Sequence, residues 1–317
     1  AALRQLVAGA DVFVTNFPLP VRERLGVSAE QLTALNPRLI YASFTAYGEE
    51  GAEAAKTGFD STAYWARTGL MDQVRAEATT PPARSMPGMG DHPSGTGLYA
   101  AIVTALYRRE KTGKGGVVKS SLLQNGLWAN GCAVQTRLFD ERVAHRPTRE
   151  EAPNALANHY QTRDGRWFIM ALFNEQRQLR GFLTAIGRPE LTDDPRFASD
   201  AARKANARAL VDILDGVFKG RDLAEWRTIL DGVGVTFGIV GTVDEALDDP
   251  QMRACGALVP FADGKGLTIS APFHVEGADK TPPRRAPDLG ADTDEVLRGA
   301  GYSADAIAAM RAQGAVA

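Results

Sequence analysis

At 317 residues the chain is long enough for about two domains, and its 44% hydrophobic and 23% charged content is that of a folded protein, not a disordered one. A formal net charge of -2 argues against a nucleic-acid binder, which carries a basic excess, and no apolar run approaches the roughly 20 residues that span a bilayer. The two cysteines, Cys132 and Cys255, lie far apart and none of the four histidines (His92, His145, His159, His274) pairs with another at helical spacing, so no metal site is expected; a reducing, cytoplasmic setting is expected instead, with both thiols as packing residues.

The chain opens in mid-helix at Ala1, without an initiator methionine, and residues 3–8 read as the end of that helix. Residues 11–15, Asp-Val-Phe-Val-Thr, form a short buried strand that Asn16-Phe17-Pro18-Leu19-Pro20 stops. Two short helices follow over 21–25 and 28–35, the second with Ser28 and Gln31 as a capping box. Residues 39–44 are again a strand, and so short a crossover between two apolar strands predicts parallel pairing and an α/β fold. Gly58-Phe59-Asp60 opens a helix, and 117–123 is a third strand-like segment. After a helical pattern over 125–140, residues 141–153 turn rich in Arg, Glu and Pro and read as a linker. An Asp-Gly hairpin over 159–171 begins a second, α+β block, with helices over 175–186, 201–218 and 223–232 and a strand over 235–240. The Pro-rich stretch 281–287 leads to closing helices over 293–300 and 304–312.

One stretch stands out chemically. Between Ser85 and Leu98, four glycines and two prolines set a tight turn that runs into an apolar helix ending near Arg108-Arg109. Asp91 sits where that helix begins, and unpaired N–H groups there favour an ionised carboxylate. Such a residue reads either as a helix cap or as a nucleophile.

Several short segments occur in one order along the chain: Asn16-Phe17, Asn36-Pro-Arg, Gly58-Phe59-Asp60, Gly90-Asp91, Arg108-Arg-Glu-Lys-Thr-Gly-Lys-Gly115, Asp194-Pro-Arg-Phe197 and Asp249-Pro-Gln251. In that order they resemble the family III CoA-transferases, which include formyl-CoA, carnitine and 2-hydroxyacyl-CoA transferases. The resemblance implies a Rossmann-like large domain, a smaller inserted α+β domain and an interlocked homodimer. In this chain that gives a large CoA-binding and catalytic domain over 1–140, a linker over 141–158, a small domain over 159–258, and a linker and return over 259–317. Asp91 then matches the family's nucleophile. Asn16 and Phe17 match a CoA-contacting pair, Arg24 a basic residue downstream of it, and Lys56, Thr57 and Phe59 a second CoA-contacting loop. Asn16 also reads as a strand-terminating residue, and Arg24 by itself as a solvated helix arginine.

The implied activity is transfer of CoA between an acyl-CoA and a carboxylic acid through an aspartyl-CoA thioester, with coenzyme A as substrate and no permanently bound cofactor. Two alternatives stand beside it. A racemase of the same fold carries a histidine before the aspartate at position 60, where this chain has Phe59. A silent CoA-binding protein is the other, because family members carry a further N-terminal stretch with the first strand of the sheet and this chain begins after it. Residues 171–176 also lack the glycine run of the formyl-CoA transferase lid, which implies a different substrate or lid mechanism, and apolar Phe59, Tyr64 and Trp65 point to an acyl group larger than formate.

Overall fold

The computed structural model describes residues 2–77, 79–140 and 147–317. The chain divides into two compact units, Ala1–Arg146 with Pro287–Ala317, and Pro147–Ala286. Positions 141–146 of the expected linker lie outside the described residues.

In the first unit, helix α1 (Ala2–Ala8) precedes strand β1 (Val12–Thr15), helices α2 (Leu19–Leu25) and α3 (Ala29–Leu35), and strand β2 (Ile40–Thr45). A π-helical segment (Asp60–Ala66), helices α4 (Leu70–Gln73) and α5 (Asp91–Thr112), strand β3 (Gly116–Ser121), and helices α6 (Leu122–Ala129) and α7 (Gly131–Asp140) follow. The three strands form one sheet in the order β1-β2-β3. Both pairings are parallel, with Val12 opposite Ile40 and Ile40 opposite Gly116. The central strand begins with four consecutive buried residues, as expected for parallel sheet covered on both faces. Val7, Val27, Leu32, Leu39 and Tyr41 form the core beneath it.

The segments around Asn36 and Arg109 lie at the amino edge of this sheet and make packing contacts there. Asn36 ends α3, and its amide donates to the carbonyls of Val7 and Ala10 at 3.1 and 2.9 Å. Arg109 is buried, donates to the Arg38 carbonyl at 3.1 Å and pairs with Asp11 at 2.8 Å. Gly115 lies so close to β2 that a Cβ would stand 2.2 Å from the Leu39 carbonyl oxygen, so only glycine lets β3 enter the sheet there.

α5 ends in a turn of three residues before β3, so it runs antiparallel to the strands. Its 22 residues extend about 33 Å, longer than the six-residue β3 at about 20 Å. Its first residue, Asp91, therefore lies at the carboxyl edge of the sheet, where open α/β sheets bind ligands.

The second unit contains the sheet β4 (His159–Gln161), β5 (Trp167–Met170) and β6 (Phe237–Ile239), antiparallel throughout, with Asp164 and Gly165 in the hairpin turn. Helices α8 (Glu175–Ala185), α9 (Asp200–Ala205), α10 (Ala207–Phe218) and α11 (Leu223–Gly232) belong to it. So do α12 (Val243–Asp248) and α13 (Pro250–Ala254), and the hairpin of β7 (Leu258–Pro260) and β8 (Leu267–Ile269). Tyr160, Phe168, Phe218 and Trp226 are the aromatic centre of its core. Phe197 is buried in the same cluster, and Asp249 caps α13 by accepting the Gln251 N–H at 2.8 Å. Helices α14 (Thr293–Gly299) and α15 (Ala304–Ala312) close the first unit.

Two helical runs differ from the sequence reading. The run 125–140 breaks at Asn130, whose amide donates to the Thr68 carbonyl at 2.9 Å, and the run 201–218 breaks at Asn206. Asparagine competes for backbone partners in this way and interrupts helices. Cys132 and Cys255 are both exposed, not packed. Among the described residues, no helix is long and apolar enough to cross a membrane, and no cluster of ligating side chains could hold a metal ion.

Candidate active site

Asp91 is the first residue of α5 and reaches solvent. Its position is set by Gly90, which is buried against the π-helix: a Cβ there would stand 2.7 Å from Tyr64 Cγ and 2.8 Å from Asp60 Cβ. Asp60 Oδ2 accepts the Gly90 N–H at 3.2 Å, and Asp60 Oδ1 accepts the Ser61 N–H at 2.6 Å. Two carboxylates thus lie side by side at the helix start. The helix terminus alone would favour the Asp91 anion, but crowding by the surrounding chain pushes its carboxyl above the ordinary value. The Asp60 charge adds to this rise and His92 opposes it.

The segment carrying Phe59 and Asp60 is anchored to the end of β2. Gly58 packs so tightly that a Cβ would stand 2.8 Å from Tyr47 Cε2 and 2.9 Å from Ala46 Cβ. Ala63, Tyr64, Trp65 and Leu122 form a core cluster with Phe44, Ala46 and Tyr47. Phe59 itself is 75% exposed, an apolar ring open to solvent one residue before Asp60. Thr57 is exposed. Lys56 is exposed as well, but its amine pairs with Glu53 at 2.7 Å and sits 5.0 Å over the Tyr47 ring.

Asn16 and Phe17 follow β1 at the same carboxyl edge. Both are exposed, and the Asn16 side-chain amide has no partner among the described residues. Arg24 lies on the exposed side of α2, and its guanidinium likewise has no partner among the described residues. The structure therefore joins Asp91 to the Phe59–Asp60 segment and Lys56 to Tyr47. No contact among the described residues links Arg24 to either group.

Sequence reasoning passed over three charged residues at this edge. Arg22, two positions before Arg24, is buried and pairs with Glu49 at 2.9 Å, and Lys119 pairs with the other Glu49 oxygen at 2.8 Å. A cavity of about 300 Å³ opens beside them, lined by Thr45, Tyr47, Glu49, Lys119, Ser120 and Gln124. Nothing local marks Arg22 as buried, since its partner lies 27 residues away. Asp60 was read as opening a helix, and its hydrogen bond to Gly90 spans 30 residues.

The model of CoA-transferase family III matches residues 1–293. The (R)-2-hydroxy-4-methylpentanoate CoA-transferase of Clostridioides difficile is 32% identical over 311 residues, covering 96% of this chain and 76% of that protein. The cinnamoyl-CoA:phenyllactate CoA-transferase of Clostridium sporogenes is 28% identical over 307 residues, covering 95% of this chain and 74% of that one. A crystal structure of a CAIB/BAIF family protein from Brucella suis superposes with a TM-score of 0.83 at 29% identity, covering 94% of this chain and 78% of that one. The mixed α/β fold with its parallel sheet is thus shared with known family structures. This chain belongs to CoA-transferase family III and is an enzyme that transfers coenzyme A.

Proposed function

We propose that the chain transfers CoA from an acyl-CoA to a carboxylic acid through an aspartyl-CoA thioester on Asp91. The observation that carries this reading is the carboxylate of Asp91 at the start of α5, fixed through Gly90 against Asp60 and Tyr64 at the carboxyl edge of the sheet. An Asp91 oxygen attacks the thioester carbonyl, the C–S bond breaks, and a mixed anhydride and CoA thiolate result. The thiolate attacks the Asp91 carbonyl carbon, the anhydride C–O bond breaks, and the donor acid leaves. The acceptor carboxylate then attacks the aspartyl thioester and displaces the thiolate. The thiolate attacks the acceptor carbonyl in turn, and Asp91 is restored as a carboxylate. No net proton is needed, and exclusion of water keeps the activated intermediates from hydrolysis.

Asn16, Phe17, Arg24, Lys56, Thr57 and Phe59 are the proposed CoA contacts, within a large catalytic domain over 1–140. The two relatives above are named for 2-hydroxy acids, so a 2-hydroxy acid is the first acceptor class to assay. The exposed Phe59 ring beside Asp60 suits an apolar acyl group. Replacing Asp91 by Asn keeps the size of the side chain and removes the nucleophile. Transfer should fall by several orders of magnitude with the fold intact; near-parental activity, with deamidation excluded by mass spectrometry, would remove Asp91 from the mechanism.

An interlocked homodimer in the cytoplasm completes the proposal. Trp128 and Phe139, 88% and 87% exposed on α6 and α7, are apolar surface that a second copy would cover. Light scattering should show a dimer that does not dissociate on dilution; a stable, active monomer would end this part of the reading.

A further inference from the structure

Arg22 is 2% exposed, on a short helix whose next arginine, Arg24, lies in solvent. Its Nε donates to the Phe17 carbonyl at 2.6 Å, Nη1 to Ser43 Oγ at 2.6 Å and to Glu49 Oε1 at 2.9 Å, and Nη2 to the Phe44 carbonyl at 3.1 Å. Glu49 also accepts the Ser43 hydroxyl and pairs with Lys119 of β3. One guanidinium thus ties Phe17, two residues after β1, to the end of β2 and, through Glu49, to β3. Backbone ladders already hold these strands together, and a buried ion pair is a poor source of stability compared with apolar packing. What the fork adds is geometry.

That geometry centres on Phe17. Its N–H donates to Thr15 Oγ1 at 3.2 Å and its carbonyl is held by Arg22, so the peptide groups on both sides are fixed while the ring stays 49% exposed. We propose that Arg22 is a positioning residue for CoA binding: by holding the Phe17 carbonyl it fixes the Asn16–Phe17 corner in the conformation that receives the ligand. The proposal rests on the reading of that corner as a CoA contact. Preorganisation of this kind lowers the ordering cost of binding without adding a contact.

The test is isothermal titration of coenzyme A onto the 317-residue chain, with the melting midpoint of each variant measured alongside. Phe17→Ala and Arg22→Lys should each weaken binding roughly three- to tenfold, the second with the chain still folded. The double variant should bind no more weakly than the weaker single, because both changes act through one corner. A lowered midpoint with an unchanged Kd in Arg22→Lys, or losses that multiply in the double variant, would overturn the role of Arg22. Should Arg22→Lys fail to fold, Ser43→Ala removes one of its contacts without removing charge, and an unchanged Kd there overturns the proposal equally. Weakening by Phe17→Ala alone would leave the corner as a CoA contact and discard only Arg22. Unchanged binding in Phe17→Ala, or no binding by the parent chain, would discard the corner and Arg22 together.

Discussion

Asp60 accepts the backbone N–H of Gly90 at 3.2 Å, so one carboxylate holds the residue that presents another. The contact leaves no room for a side chain at position 90, where a Cβ would meet both Tyr64 and Asp60 at under 3 Å. Gly90→Ala should cost about 1–3 kcal/mol through overpacking, and transferase activity should fall further than that loss explains, because Asp91 moves with it. Denaturant melts together with steady-state rates check this; full activity would show that the position of Asp91 tolerates the shift.

The same pair sets a pH dependence. Desolvation and the Asp60 charge raise the Asp91 carboxyl, so the folded state holds that proton more tightly than the unfolded chain does. Its favourable contribution is present below the unfolded value and is lost as pH rises through the folded one. At neutral pH, Asp91→Asn should therefore melt no lower than the parent, and the difference should shrink on acidification. Asp60→Asn removes a negative neighbour and should move the acid limb of the kcat/KM profile to lower pH. An unmoved limb would mean that the two carboxylates do not interact.

Glu49 behaves in the opposite sense. Desolvation works against its anion, but hydrogen bonds from Lys119 and Ser43 and the charges of Lys119 and Arg22 outweigh it and hold its carboxyl below the ordinary value of 4.5. Its contribution is present above that value and is lost as pH falls through the folded one. Glu49→Gln leaves Arg22 buried without its counter-charge and should cost about 3 kcal/mol at neutral pH. The gap from the parent should close under acid. A pH-independent gap in urea melts would contradict the ionic account.

Arg24 is exposed and unpaired among the described residues, so Arg24→Ala should change stability by less than about 0.5 kcal/mol. As a phosphate contact it should raise KM for acyl-CoA, corresponding to about 1–3 kcal/mol, with kcat nearly unchanged. Lys56 is already paired with Glu53, and the matching change there should be smaller. An unchanged KM in Arg24→Ala would leave it a surface arginine.

Local pattern carried most of the fold. β-branched and apolar runs marked β1 and β2, the short crossover gave their parallel pairing, and Asp164-Gly165 marked the hairpin. Helix starts with local caps were readable too: the Ser28 N–H meets Gln31 Oε1 at 3.1 Å. Breaks at Asn130 and Asn206 were not readable, because they depend on where a side-chain amide finds a carbonyl. The site divides in the same way. Asp91 stood out because its turn is local, whereas Arg22, Glu49 and Asp60 acquire their roles from partners two to three dozen residues away. The upward shift of the Asp91 carboxyl was not readable from its turn, because it comes from the chain packed around it and from the charge of Asp60, which approaches only in the folded chain.

Chemical trapping of the intermediate tests the central claim most directly. The chain is incubated with an acyl-CoA, quenched with hydroxylamine, digested and mapped by mass spectrometry; hydroxylamine converts an aspartyl thioester or anhydride into a hydroxamate. A hydroxamate confined to Asp91, dependent on acyl-CoA and absent from Asp91→Asn, is the expected result. CoA exchange that proceeds with Asp91 unmodified, or with the label on another carboxylate, would contradict it.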